Sequence, residues 1–151
     1  MSIQTTYDTS LAVAVDGLIV AGNDVETMIV ETAAGIAPGK VVSRGTGDHG
    51  CVIGGDGTGV GVVGRDLSKE GAVTTNELTY AQYDDCPVVR DGYVWAPVSD
   101  IASRGSVLNY VDATGVIGAG AAGGGETDLT GWTLETDVAS GGDLGLIRVK
   151  N

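Results

Sequence analysis

Apolar positions along this chain come in short runs or alternate with polar ones, and no stretch keeps a helical period for a dozen residues. The runs are Leu11–Val15, Glu26–Glu31, Lys40–Arg44, Cys51–Ile53, Val60–Arg65, Val88–Arg90, Tyr93–Ala96, Val107–Val111, Trp132–Asp137 and Leu144–Val149. Val and Thr dominate them, and β-branched side chains resist helix but suit a pleated surface. Most runs are bounded by turn residues such as Gly22-Asn23-Asp24, Asp91-Gly92 and Gly141-Gly142-Asp143. The pattern predicts an all-β fold: a compact β-barrel or sandwich of short antiparallel strands, with long Gly-rich loops and little helix.

Asp91-Gly92, between Pro87–Arg90 and Tyr93–Ala96, is the clearest hairpin signal, because a two-residue turn there needs positive φ. Gly or Pro interrupts nearly every helix-length window, and the best helical segment is one short turn at Ser99–Ser103. Asp66–Thr79 reads as a polar excursion between strands. Gly118–Asp128, with five glycines and no periodicity, reads as a flexible loop. The expected organisation is an extended polar arm over residues 1–10, then a single β-domain over 11–151.

Composition narrows the function. A length of 151 residues suits one domain. Ile, Leu and Val number 38, about a quarter of the chain, above the roughly 20% below which a charged chain tends to stay disordered. Eight Lys and Arg against 20 Asp and Glu leave a net charge of −12. That argues against nucleic-acid or anionic-membrane partners, which need a basic face. The longest apolar stretches, Leu11–Val15 and Leu18–Gly22, fall far short of the roughly 20 residues of a membrane span. The first basic residue is Lys40, so no secretory signal is expected. Cys51 and Cys86 sit in no metal-ligand spacing and are expected as small, buried, reduced thiols.

Candidate chemistry is weak throughout. Gly118-Ala119-Gly120-Ala121-Ala122-Gly123 matches GxGxxG, but a dinucleotide site needs a helix to start there, and Gly124, Gly125 and Gly131 follow instead. Gly54-Gly55-Asp56-Gly57-Thr58-Gly59 resembles a calcium-binding repeat, yet it occurs once and lacks the repeat's aspartate, so a turn is expected. His49, the only histidine, could join Asp48 and Cys51 or Cys86 as a base. Adjacent residues on an extended strand point apart, so a solvated loop histidine is the simpler reading. Asp84-Asp85 and Glu126/Asp128 lack metal-ligand spacing and read as solvated acids. Trp95 and Trp132 fall in alternating strands, where they fill the core or a subunit contact rather than stack on a sugar. No catalytic, cofactor-binding or metal residue is assigned, and no cofactor is expected.

Several segments together resemble one family. Met1–Tyr7 (MSIQTTY), Val30–Gly45 (VETAAGIAPGKVVSRG), Gly61–Asp66 (GVVGRD), Tyr80–Trp95 (YAQYDDCPVVRDGYVW), Arg104–Gly115 (RGSVLNYVDATG) and Gly141–Val149 (GGDLGLIRV) are similar, in order, to tailed-phage structural cement proteins, also called capsid decoration proteins. The resemblance implies a β-rich protein on the outer surface of the expanded head, made in the host cytoplasm. It further implies a homotrimer whose partner is the major capsid protein, bridging neighbouring capsid subunits without catalysis. Gly35, Gly39, Gly45 and Gly92 match its turn positions, and Gly92 would open a Gly-x-x-Trp hairpin. Ile3 and Tyr7 in the arm are the expected capsid or inter-subunit contacts. The rival reading is a small β-barrel enzyme or ligand- or metal-binding domain using the Gly-rich loop and Asp84/Asp85. A tail or baseplate β-module is a third.

Overall fold

The computed structural model describes residues 15–55, 59–66, 68 and 78–150. Ten strands account for its regular structure: β1 (Ile19–Val30), β2 (Val41–Arg44), β3 (Gly50–Ile53), β4 (Gly59–Val63), β5 (Asp85–Pro97), β6 (Leu108–Val111), β7 (Ile117–Ala119), β8 (Glu126–Asp128), β9 (Thr133–Leu134) and β10 (Leu144–Lys150). The chain is all-β, as the apolar pattern predicts, and no α-helix occurs among the described residues.

The main sheet closes on itself. Its order is β1-β3-β2-β4-β5-β10-β9, and β1 also pairs with β5, so β1, β3, β2, β4 and β5 form a five-stranded barrel. The β1–β3 seam is parallel and short, with Ile29 opposite Gly50 and Val30 opposite Cys51. Beyond the barrel, the second half of β5 carries β10, from Leu144 opposite Pro97 to Lys150 opposite Asp91. A three-stranded sheet, β7-β6-β8, forms a second layer.

Two cores follow from strands buried on both faces. Met28, Val30, Val42, Cys51, Val63, Cys86 and Val88 fill the barrel with Ile36 and Tyr80. Their neighbours Val41, Val62 and Val89 point outward and pack with Val94, Leu108, Tyr110, Ile117, Trp132, Leu134 and Ile147. Successive strand residues face opposite sides, so the pairs Val41-Val42, Val62-Val63 and Val88-Val89 each serve both cores. Tyr110 ties the layers, its hydroxyl donating to Gly55 O at 2.7 Å. Trp132 is a core residue, and Trp95 is only partly buried.

Several expected elements differ. Asp91-Gly92 is no hairpin: β5 runs straight through it, because β1 pairs on one side and β10 on the other. Gly22-Asn23-Asp24 likewise lies inside β1, at a place where the β1–β5 register shifts. Both turn signals are β-bulge chemistry in one long ribbon. Ser99–Ser103 forms no helical turn; it is a bend followed by a bridge from Ala102 to Val138. Gly118–Asp128 is not simply a flexible loop. Its ends are β7 and β8, which flank β6. The turn between them is pinned by the Gly123 and Ala122 amides, which donate to Glu126 Oε2 at 2.7 Å and Asp128 Oδ1 at 2.8 Å. Edge strands this short leave no apolar period to read. Val15 is not in a strand, and Trp132–Asp137 shortens to the two residues of β9. Residues 1–10, residues 11–14 of the first run and most of Asp66–Thr79 lie outside the described residues.

Candidate functional site

The inward rows of the barrel run out of apolar layer at one end and become charged. Two positions along from Met28, Val88, Val42 and Cys51 stand Glu26, Arg90, Arg44 and His49. Strand directions bring all four to the same rim. Glu26 Oε2 meets Arg90 Nη1 at 3.1 Å and Arg44 Nη2 at 3.3 Å, and Glu26 Oε1 lies 3.5 Å from His49 Nδ1. Arg90 Nε, buried without a hydrogen-bond partner, lies 3.9 Å from Asp24 Oδ2. Burial alone would raise the Glu26 carboxyl. The charges of Arg44 and Arg90, with hydrogen bonds from His49 and Arg44, outweigh it and hold the group below its ordinary value.

A groove of about 540 Å³ runs along the outer face of the β1–β3 seam, lined by Ile29, Glu31, Thr46–Gly50, Gln82 and Tyr83. Glu31 shapes one wall. Its carboxylate accepts from the Thr46 amide at 2.9 Å, the Thr46 hydroxyl at 3.1 Å and the Gly47 amide at 2.7 Å. These bonds draw the Glu31 carboxyl below its ordinary value. Gly50 makes the space: a Cβ there would sit 1.7 Å from Glu31 Oε1.

The opposite wall is the turn Ala81–Asp84. Tyr83 N donates to Val30 O at 2.7 Å, Val30 N to Asp84 O at 2.9 Å and Asp84 N to Ala81 O at 3.0 Å. Ala81 N donates to Asp84 Oδ2 at 3.1 Å and Gln82 Nε2 to Glu31 O at 3.2 Å. Held this way, Tyr83 has φ +70° and is 75% exposed, while Ile29 across the groove is 44% exposed.

The sequence candidates scatter. His49 is an exposed rim residue, whereas Cys51 and Cys86 are fully buried in the barrel with their sulfurs 3.9 Å apart. No nucleophile–base set is assembled. The hydrogen bond with Cys86 draws the Cys51 thiol down, against burial and the charge of Glu31. Glu126 and Asp128 hold the β7–β8 turn, and Asp84 caps its own turn. No helix follows the GxGxxG segment, which starts on β7 and turns back into β8. Gly54 and Gly55 follow β3, both at positive φ, and residues 56–58 of the expected turn lie outside the described residues. Ile3 and Tyr7 lie outside the described residues. Sequence reading missed Tyr83, Ile29 and Glu31. The one available signal was Tyr83 itself, an aromatic set in a polar turn.

A family model described as "Structural cement protein (E217 gp24/Pam3 gp6)" matches residues 3–150. The chain belongs to the structural cement protein family. This family is a phage structural family, which gives the cement-family chain a capsid-associated structural role and a place in the virion. No curated protein matches it. Among solved structures, a chain of "The capsid of Myoviridae Phage XM1" is similar at TM-score 0.73 and 12% identity, covering 100% of this chain and 99% of that one. That likeness shows a shared fold.

Proposed function

We propose that this chain decorates the outer surface of the expanded phage head, where it bridges neighbouring major capsid protein subunits and stabilises the shell. The family match over residues 3–150 carries this reading. The fold shared with a chain of a phage capsid supports it. The chain is made in the host cytoplasm and acts as a homotrimer without enzymatic activity. Residues 1–10 reach the partner, with Ile3 and Tyr7 as contacts, and 11–151 serve as the single β-domain.

The physics suits such a role. Many weak contacts repeated over a shell give large total avidity without one strong site. A net charge of −12 keeps the free protein soluble and disfavours binding to DNA.

The test is sedimentation of the purified protein with expanded, undecorated shells and with compact precursors. Saturable binding to expanded shells alone is expected, and equal binding to both overturns the reading. Native mass spectrometry tests the trimer, and a monomer carrying a stoichiometric metal or nucleotide would favour the ligand-binding rival.

A further inference from the structure

We infer that the groove between Tyr83 and Ile29 is the surface that docks on the capsid, and that it receives a Lys- or Arg-bearing segment of the capsid subunit with an apolar tip. This rests on the decoration reading above.

Tyr83 carries the argument. Among the described residues it is the only non-glycine at positive φ, and it is three-quarters exposed. A bulky residue at φ +70° is disfavoured by its own Cβ. Folding stability is not served by an aromatic there, since its ring is left in water. The backbone bonds of the Ala81–Asp84 turn to β1 nevertheless fix the backbone from which it projects. An exposed aromatic on a fixed backbone beside an apolar partner is the form binding anchors take, because no backbone freedom is left to lose on docking. Ile29 supplies that partner across a groove of about 540 Å³.

Charge selects the occupant. Asp48 and Glu31 line the groove with His49, whose Nδ1 faces Glu26 Oε1 at 3.5 Å, and Asp84 and Asp85 follow Tyr83 directly. The arginines near this end, Arg44 and Arg90, are engaged with Glu26. The groove is therefore a negatively charged slot with an apolar floor, which complements a basic segment and not a second copy of this acidic chain.

The test uses full-length protein and expanded shells stripped of decoration, with Tyr83→Gly, Ile29→Ser and Asp48→Lys variants. Tyr83→Gly removes the ring and relieves the backbone, so its melting temperature should match or exceed the parent's. Its shell affinity should fall by about tenfold or more. Ile29→Ser should weaken binding in the same direction, and Asp48→Lys should weaken it and flatten its salt dependence. Parent-like shell binding by both Tyr83→Gly and Ile29→Ser overturns the inference while leaving the decoration reading intact. An altered oligomeric state with unchanged shell binding also overturns it, assigning the groove to self-association. A parent that fails to bind expanded shells sinks the decoration reading itself.

Discussion

Gly22 lies directly opposite Gly92 in the β1–β5 ladder, next to the register shift between Gly22 and Asp24. Gly92 has φ +146°, and a Cβ there would sit 2.2 Å from the Ala21 carbonyl oxygen. Side chain and backbone conformation are both refused at this point. Gly92→Ala should therefore destabilise the protein by about 1–3 kcal/mol, lowering the melting temperature by about 2–12 °C at the roughly 2–4 °C per kcal/mol expected for a chain of this size. Gly124→Ala, where a Cβ meets nothing within 4 Å, is the control and should melt like the parent. Equal melting of the two variants would refute the close approach of Ala21 as the reason for this glycine.

The charged rim gives stability a pH dependence of definite sign. Glu26 and Glu31 are both held below their ordinary value of 4.5 in the folded protein. A carboxyl depressed by folding contributes stability above its unfolded value, and that contribution is lost as pH falls through the folded value. Melting temperature should drop as pH falls below 4.5 in the parent. The drop should be shallower in Glu26→Gln and Glu31→Gln, each of which starts from a lower stability at neutral pH. Parallel pH profiles for parent and variants would show that these carboxylates are not coupled to folding.

Legibility in the sequence follows the same physics. Short apolar runs bounded by polar or turn residues, such as Leu144–Val149 and Val88–Arg90, read as strands because they are too short and too rich in Val, Ile and Leu for a surface helix. The Gly22 and Gly92 positions read as turns because a bulge and a hairpin ask for the same residues, and only the partner strands decide between them. The groove was less legible still. Ile29 is the eleventh residue of β1, between buried Met28 and Val30, so its exposure is set by β3 pairing only at the strand's end. Nor does anything near Glu31 in sequence mark it as the anchor for a loop fifteen residues away.

Adjacent valines in β5 serve separate cores, and that is measurable. Val88 points into the barrel and Val89 out toward the second layer, both fully buried. Truncating either to Ala removes two methyl groups and leaves a cavity, costing about 2–3 kcal/mol. Because the two side chains sit in different clusters, the double variant should lose close to the total of the single losses, measured by denaturant unfolding. A coupling above about 0.5 kcal/mol would mean that the barrel wall transmits strain between the cores.

The thiol pair reports on the barrel's integrity. Cys51 and Cys86 are both fully buried with sulfurs 3.9 Å apart, and the hydrogen bond between them draws Cys51 toward thiolate. Lowered thiol pKa favours reaction, but only where a reagent has access. Access requires opening the short parallel seam between β1 and β3 or the β4–β5 wall, so burial should win. An aromatic disulfide reagent should find no thiol in the native protein over minutes and two after denaturation. The rate of the slow native reaction should then rise in Val88→Ala, which loosens the barrel beside Cys86, and stay at the parental value in Gly124→Ala. Rapid labelling of the parent would mean that the seam opens freely, and the barrel could not then serve as a rigid frame for the Tyr83 turn.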